Sequence, residues 1–308
     1  MILTVTLNTA LDVTHRVPRL IPHASHRAAA VTERPGGKGL NVARVLAALG
    51  RPVTATGFAG GRTGEAVREL LAGCPGVTDA LVPCAGPTRR TLAVVDESSG
   101  DTTQFNEPGP MIGSGEWAEF TERYGALLAG AEAVALCGSL PPGVPVGAYA
   151  VLVRAARAAG VPVLLDTSGE ALRRGIAARP DMVKPNAAEV AELTGSREPV
   201  QAGRDARRRG AHAVVTSLGP QGLLATTPEG TWQAAPPRPL SGNPTGAGDS
   251  AVAGLLSGLV EGLDWPSRLS RAVALSAATV LAPAAGEFDP RTYEEVRGSV
   301  RVTAAQPA

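Results

Sequence analysis

The sequence predicts an α/β protein with a doubly wound, mainly parallel sheet that is flanked by helices, and with a small β-sheet lid. From residue 116 onward, short apolar runs typical of buried strands alternate with segments whose apolar residues recur every three or four positions, as in helices. Because repeated βα units with right-handed crossovers build parallel sheets, this alternation indicates a doubly wound core. Turn-separated β-rich segments at about 12–34 and 88–107 predict the lid. We expect residues 1–308 to form a single domain into which these lid segments are inserted.

The first predicted elements follow from local patterns. A β-rich run predicts a strand at residues 2–7, and the proline-containing stretch 15–34, which has no helical period, indicates extended strands. Apolar residues at 42, 45, 46 and 49 predict a helix that Gly50 ends. Thr63 is placed to cap the next helix. The remaining predictions in this half are strand 53–58, helix 64–72 and a hairpin of 88–95 with 102–106.

The second half repeats strand and helix signals until the end of the chain. In order, we expect helix 116–128, strand 133–137, helix 146–159, strand 161–165, strand 182–184, helix 187–193, strands 213–217, 222–226 and 231–235, and helices 251–260 and 266–281. Beyond Arg301 we expect an irregular tail.

Composition excludes several classes of protein. The net charge of +1 argues against a dedicated nucleic-acid or membrane-surface protein, and 3% aromatic residues leave little for base stacking. Cys74, Cys84 and Cys137 have no metal-ligand spacing, and free thiols in a reducing cytosol explain them. The sequence begins without a signal-peptide pattern and contains no candidate membrane span. We therefore expect a cytoplasmic protein without nucleic-acid or membrane partners.

The loop before the helix at 251–260 carries the clearest chemical signal. Gly246, Ala247 and Gly248 lie at a predicted helix N-terminus, where free N–H groups and the helix dipole favour an anion. Asp249 follows directly, and a carboxylate beside an anion hole suits a general base that takes a proton from an attacking hydroxyl. The loop alone is equally compatible with a plain helix cap. Phosphoryl transfer is the hypothesis that the other motifs have to support.

Further candidate residues follow predicted strands or lie in the lid. Asn186 and Glu189 are three apart at a helix start, and their oxygen atoms could hold a water-coordinated Mg²⁺ or form an N-cap with a first-turn acid. Ser217 and Gly219 follow a strand and could contact phosphate or ribose. Because ligands bind at the carboxyl ends of parallel strands, Asp12 is a candidate as well, with a turn aspartate as the alternative. Candidate sugar ligands beside Asp12 are Lys38 and Asn41, and candidate phosphate clamps are Arg27, Arg89 and Arg90.

Two longer motifs resemble the two signatures of the ribokinase-like, phosphofructokinase B type carbohydrate kinases. They are residues 35–44, PGGKGLNVAR, and residues 244–250, PTGAGDS. The resemblance runs nearly end to end, because shorter motifs fall in family order between them. These are Thr88-Arg89, NEPGP at 106–110, GSLPPG at 138–143, KPNAAE at 184–189 and SLG at 217–219. The chain is most similar to the hexose-phosphate branch, which holds the fructose-1-phosphate, tagatose-6-phosphate and minor 6-phosphofructokinase enzymes.

The resemblance implies an ATP- and Mg²⁺-dependent kinase of a hexose phosphate, and leaves open whether a monovalent cation is needed. It implies that Asp249 is the base, with Gly246, Ala247 and Gly248 as the anion hole. The implied sugar contacts are Asp12, Gly37, Lys38, Asn41, Arg27, Arg89 and Ser139, the nucleotide contacts are Lys184, Asn186, Ser217, Gly219 and Gly222, and the metal residues are Asn186 and Glu189. It also implies a homodimer in which lid strands of two subunits pair.

The lid departs from the pattern of that branch. Thr91 and Ala93 stand where the fructose-1-phosphate and tagatose-6-phosphate kinases usually have Asn and Lys, and Ser25 stands near a usual Lys of the minor 6-phosphofructokinases. The alternative substrate is therefore an unphosphorylated sugar, polyol or nucleoside.

Two other functional classes remain as alternatives. Residues 246–251 also fit a Gly-x-Gly-x-x-Ala dinucleotide fingerprint, but they lie late in the chain without a clear preceding strand. A non-catalytic sugar-phosphate sensor would not need an intact Asp249 or the Asn186 and Glu189 pair.

Overall fold

The structure is a computed structural model that describes residues 1–238, 240, 242–282 and 284–305. Within these residues the strands are β1 (Ile2–Thr6), β2 (Ala10–Val17), β3 (Ala30–Gly36), β4 (Val53–Ala59), β5 (Val77–Asp79), β6 (Val82–Pro83), β7 (Arg89–Asp96), β8 (Thr102–Asn106), β9 (Ala133–Cys137), β10 (Val163–Asp166), β11 (Met182–Val183), β12 (Ala213–Ser217), β13 (Leu223–Thr226), β14 (Thr231–Ala235) and β15 (Arg301–Ala304). The helices are α1 (Lys38–Ala48), α2 (Gly61–Ala72), α3 (Ser114–Leu128), α4 (Ala148–Ala158), α5 (Gly169–Ala177), α6 (Ala187–Thr194), α7 (Pro199–Arg208), α8 (Ala247–Val260), α9 (Trp265–Val280) and α10 (Pro290–Arg297).

The large sheet has the order β15-β14-β13-β12-β11-β10-β9-β1-β4-β5, with β6 also paired to β4. Strands from β12 to β5 along this order run parallel, and β13, β14 and β15 extend the sheet in antiparallel fashion. Helices cover both faces, because α1, α8 and α9 pack in one apolar cluster and α3, α4 and α5 in the other. The predicted doubly wound, mainly parallel sheet is confirmed. No helix in the described ranges is long and apolar enough to cross a membrane.

A separate four-stranded sheet has the order β3-β2-β7-β8, and it contains the predicted hairpin as β7 and β8. Arg34 and Thr91 are the direct neighbours of Asp12 in this sheet, so all three side chains project from one face. Its other face carries apolar side chains, including the exposed Val31 and Phe105, beside the charged side chains of Glu33 and Arg90. The second sheet expected from residues 12–34 and 88–107 is therefore present, with its strands starting at Ala10 and ending at Asn106.

Two local predictions are wrong. Helix α2 begins at Gly61 rather than Gly64, so Thr63 lies inside its first turn and donates instead to the carbonyl of Thr88, at 2.6 Å. The Thr88 hydroxyl accepts from the N–H of Gly60 at the helix start. The expected irregular tail begins as β15, which pairs with β14 through backbone groups and packs Val302 against the apolar core.

Candidate active site

The start of α8 places Asp249 at the carboxyl edge of the large sheet. Gly246 precedes the helix with φ of 84°, and a Cβ there would come within 2.8 Å of Ala285, so both conformation and space require glycine. Ala247, Gly248 and Asp249 form the first turn, where N–H groups lack intrahelical acceptors. Asp249 is only 6% exposed, and its Oδ2 accepts from Nδ2 of Asn41 at 2.9 Å. The predicted anion hole and the predicted base are therefore contiguous in space.

The surroundings of Asp249 make it a stronger base than an ordinary carboxylate. Burial is the largest cause, and it raises the pKa of Asp249 from 3.8 to about 6. The charge of Asp166 raises this pKa further, whereas Lys38, the Asn41 hydrogen bond and Lys184 lower it. A carboxylate of this kind is ionised at neutral pH and still accepts a proton readily.

Asp166 is a residue of the site that the sequence reasoning missed. It ends β10, is 1% exposed, and accepts from Nζ of Lys38 at 3.3 and 3.4 Å. Nζ of Lys184 lies 3.5 Å from its Oδ1. Burial alone would lower the pKa of the Lys38 ammonium, but the carboxylates of Asp166 and Asp249 raise it above its usual value. The position of Asp166 at the end of a buried strand was the one signal that could have identified it.

Lys184 connects this charge cluster with the anion loop. Its side chain is 6% exposed, and a Cβ placed on Gly248 would lie 3.5 Å from its Nζ. The ammonium therefore lies beside the first turn of α8, where a transferred phosphoryl group would meet both free N–H groups and a buried cation.

A cavity of about 840 Å³ opens on the other side of this turn. Four of the five predicted nucleotide residues line it: Asn186, Ser217, Gly219 and Gly222. Its apolar lining includes Leu223, Leu240, Val273, Ala277 and Val280. Ala247 and Gly248 line it too. A large cavity with one apolar wall and a few convergent polar groups fits a base and sugar whose phosphates reach the anion loop.

Asn186 and Glu189 form a reciprocal capping box at the start of α6. Oδ1 of Asn186 accepts from the N–H of Glu189 at 2.9 Å, and Oε2 of Glu189 accepts from the N–H of Asn186 at 2.8 Å. The described residues hold no cluster of three or more His, Cys, Asp or Glu that could bind a metal. Oε1 of Glu189 remains outside the capping box. One free carboxylate oxygen next to Asn186, which lines the large cavity, fits a Mg²⁺ ion that keeps several waters and binds substrate phosphates.

Most of the predicted sugar-binding residues lie between Asp249 and the small sheet. Gly37 precedes α1 with φ of 104°, and Lys38 and Asn41 follow in its first turn. The hydroxyl oxygen of Ser139, which lies two residues after β9, accepts from Nδ2 of Asn8 at 3.0 Å. Burial raises the pKa of Asp12 to about 6, although a Thr91 hydrogen bond and two arginines lower it. Together, Asp12, Gly37, Lys38, Asn41 and Ser139 form what we call the polar shelf.

The three predicted arginines lie in different places. Arg89 shares the Asp12 face of the small sheet and donates to the carbonyls of Asn8 at 3.2 Å and Glu107 at 3.3 Å. Arg90 projects from the opposite face, as the next residue of the same strand. Arg27 is exposed in the loop between β2 and β3, beyond the Arg16–Ala30 pair that is farthest from Asp12 in this ladder. Of the two neighbouring arginines, Arg89 is the one that joins the shelf.

Comparison with known proteins gives a consistent result. A family model described as "pfkB family carbohydrate kinase" matches residues 3–291. A 1-phosphofructokinase from Rhodobacter capsulatus is 39% identical over 290 residues, which cover 92% of each chain. Phosphofructokinase-2 from Escherichia coli in complex with fructose-6-phosphate superposes with a TM-score of 0.86 at 32% identity, over 97% of this chain and 98% of that one. A possible 1-phosphofructokinase from Thermotoga maritima gives a TM-score of 0.89 at 27% identity, over 99% and 100%.

Proposed function

Because this chain belongs to the pfkB family of carbohydrate kinases, we propose that it phosphorylates a hydroxyl of a hexose phosphate with ATP. It is a phosphotransferase with an alcohol group as acceptor. Fructose-1-phosphate, fructose-6-phosphate and tagatose-6-phosphate are the substrate class that we assign to it. The observation that carries the proposal is the position of the buried Asp249 carboxylate between the 840 Å³ cavity and the polar shelf around Asp12.

In this proposal Asp249 is the general base. Its carboxylate takes the proton of the acceptor hydroxyl while that oxygen attacks the γ-phosphorus of ATP, and ADP leaves with the electrons of the broken P–O bond. Asn41 holds Oδ2 of Asp249 through the 2.9 Å hydrogen bond and so orients the carboxylate. The pKa of about 6 suits this role, because the group is ionised at neutral pH yet more basic than an exposed aspartate.

Gly246, Ala247 and Gly248 form the anion hole for the transferred phosphoryl group. Free N–H groups at the start of α8 donate to its oxygens, and Lys184 adds a buried positive charge beside Gly248. The absence of side chains at two of these three positions lets the phosphoryl group approach the backbone. We assign transition-state stabilisation to this turn.

We place the nucleotide in the large cavity, with its phosphates directed at the anion hole. Asn186, Ser217, Gly219 and Gly222 form the polar wall, and the apolar wall receives the base. Asn186 and Glu189 would hold Mg²⁺ through water, and the ion would neutralise charge on the phosphates. Whether a monovalent cation also contributes stays a prediction.

We place the sugar on the shelf formed by Asp12, Gly37, Lys38, Asn41 and Ser139. Carboxylate, amide and hydroxyl groups there match the hydroxyls of a polyol, and Asp249 lies next to Asn41. Arg89 contributes positive charge on the Asp12 face of the small sheet, and the contribution of Arg27 stays a prediction.

The small sheet serves as a lid and as a dimer contact in this proposal. Its polar face covers the sugar shelf. A groove of about 880 Å³ on the other face is lined by Leu11, Val13, Val31, Leu92 and Phe105 among others. Val31 is 55% and Phe105 60% exposed, which is unfavourable in a monomer. A second copy of the same sheet would cover this apolar face.

An ADP-release screen tests the substrate class. We expect turnover with at least one of fructose-1-phosphate, fructose-6-phosphate and tagatose-6-phosphate at a higher kcat/KM than with fructose, ribose or nucleosides. A kcat/KM that favours an unphosphorylated sugar or nucleoside would contradict the hexose-phosphate assignment. Sugar-phosphate binding without ADP release would indicate the sensor alternative.

A further inference from the structure

A small cavity of about 50 Å³ separates the polar face of the lid sheet from the loop before α8 and the segment after α9. It adjoins the sugar shelf through Asp12. Because one water needs about 10–15 Å³ of such volume, the space fits a group of a few heavy atoms. Its walls are Asp12, Thr14, Arg34, Thr91, Ala93, Val95, Thr102, Gln104, Asn243, Thr245, Ala284 and Ala285.

Arg34 is the one cationic side chain in this wall. Its Nε donates to Oε1 of Glu287 at 2.7 Å, and its two Nη groups have no acceptor within the part of the chain that the structure describes. Arg89, in contrast, has its Nε and Nη1 committed to the carbonyls of Asn8 and Glu107. Arg34 therefore offers the planar pair of Nη donors that binds a phosphate through two parallel hydrogen bonds.

Glu287 fixes the orientation of this guanidinium. The same Oε1 atom accepts from Nη2 of Arg44 at 2.8 Å, and Nη1 of Arg44 donates to the carbonyl of Ala285 at 3.0 Å. One carboxylate thus neutralises only one of two arginines, and the three side chains keep a net positive charge. They are 11–31% exposed, so water screens this charge incompletely.

The remaining walls supply neutral donors. Thr14 and Thr245 bring hydroxyls, and Asn243 keeps its Nδ2 donor because its Oδ1 accepts from the N–H of Thr245 at 3.0 Å. The carboxylate of Asp12 is the exception, and it would repel an anion placed against it. An anion in this cavity therefore belongs at the Arg34 side, with the hydroxyl-bearing part of its molecule toward Asp12.

We propose that Arg34 binds the phosphate group that the sugar already carries and so selects phosphorylated over unphosphorylated sugars. The inference rests on the proposed function, and it adds a specificity-determining residue that no sequence motif singled out. Asp249 and the anion hole act on the hydroxyl at the opposite end of the same substrate.

Steady-state kinetics on Arg34→Gln and Arg34→Lys test the assignment. Loss of a bidentate, charge-assisted contact should raise the KM for the sugar phosphate about 10- to 100-fold in Arg34→Gln, with the KM for ATP and the kcat/KM for fructose unchanged. Arg34→Lys keeps the positive charge without the planar pair of donors, and its KM for the sugar phosphate should lie between those of Arg34→Gln and the wild type. Arg291→Gln is the matched control, because Arg291 also pairs with a glutamate but is 88% exposed on α10.

The other possible results separate failure of the Arg34 assignment from failure of the proposed kinase function. An unchanged sugar-phosphate KM in Arg34→Gln overturns the Arg34 assignment and leaves the proposed kinase function intact. A parallel rise of the KM for ATP and a fall in kcat/KM for fructose would show that Arg34 only supports the fold, which also overturns it. Turnover of unphosphorylated sugars alone by the wild type overturns both the inference and the hexose-phosphate assignment.

Discussion

Replacing Asp249 with asparagine should stabilise the protein at alkaline pH while it removes the proposed base. The pKa of Asp249 is raised from 3.8 to about 6 in the folded state, chiefly by burial. A group whose folded pKa is raised in this way makes unfolding easier as pH rises through the window from about 4 to 6, because the folded protein still binds a proton there that the unfolded chain has released. Asparagine carries no charge and avoids this loss.

The size of the effect follows from the pKa. A rise of about 2 pKa units corresponds to about 3 kcal/mol of unfolding free energy at pH 8, at 1.36 kcal/mol per unit. With an unfolding entropy of about 2.1 cal/mol/K per residue, the 308-residue chain should melt about 4–5 °C higher in Asp249→Asn. At pH 4 the two proteins should melt at the same temperature, since the carboxyl is then protonated in the folded state.

Thermal melting by circular dichroism at pH 4 and pH 8 measures the difference. Asp166→Asn is the matched control, because Asp166 is equally buried but is paired with Lys38 and Lys184. Breaking a buried ion pair costs about 3–5 kcal/mol, so this control should melt at a lower temperature at pH 8. A lower melting temperature for Asp249→Asn at pH 8, or a gain of equal size at both pH values, would refute the reasoning.

Three further predictions concern the base, the loop and the lid. The kcat/KM should fall about tenfold per pH unit below about pH 6, where Asp249 becomes protonated. In Lys38→Met this inflection of the pH profile should move to higher pH, because Lys38 lowers the pKa of Asp249. A shift of the inflection to lower pH would contradict the assignment. Gly246→Ala places a Cβ 2.8 Å from Ala285 at a φ of 84°, and single-turnover rates should drop about 10²-fold or more; wild-type rates would contradict the anion hole. Phe105→Asp should shift the sedimentation coefficient to that of a monomer, and an unchanged oligomer would remove the apolar lid face as the subunit contact.

Local patterns were sufficient to predict most of the main sheet and the loop at Asp249. Strands β9, β12 and β14 have the predicted bounds, because short apolar runs between turns determine them locally. Helices α5 and α10 were not predicted, since each is at most nine residues long and buries only two side chains other than glycine. Their apolar period is too short to distinguish from turns.

The candidate site was less predictable, because contacts between distant segments of the chain bring its residues together. The ion pair of Lys38 with Asp166 joins residues 128 positions apart, and that of Arg34 with Glu287 joins residues 253 apart. No local pattern contains such a pair. Arg89 and Arg90 are neighbours of one type in the sequence, and only the strand register directs Arg89 toward Asp12 and Arg90 away from it. The fold was therefore more predictable than the groups that select the substrate.

The proton acceptor is the central claim of this account, and the turnover of Asp249→Asn tests it most directly. With the preferred sugar phosphate at pH 8, we predict that kcat falls about 10²- to 10⁴-fold, while the Kd for ATP measured by calorimetry stays at the wild-type value. The fold itself is tested in the same sample by its melting temperature. Wild-type kcat in a folded, ATP-binding Asp249→Asn would contradict the assignment of Asp249 as the base.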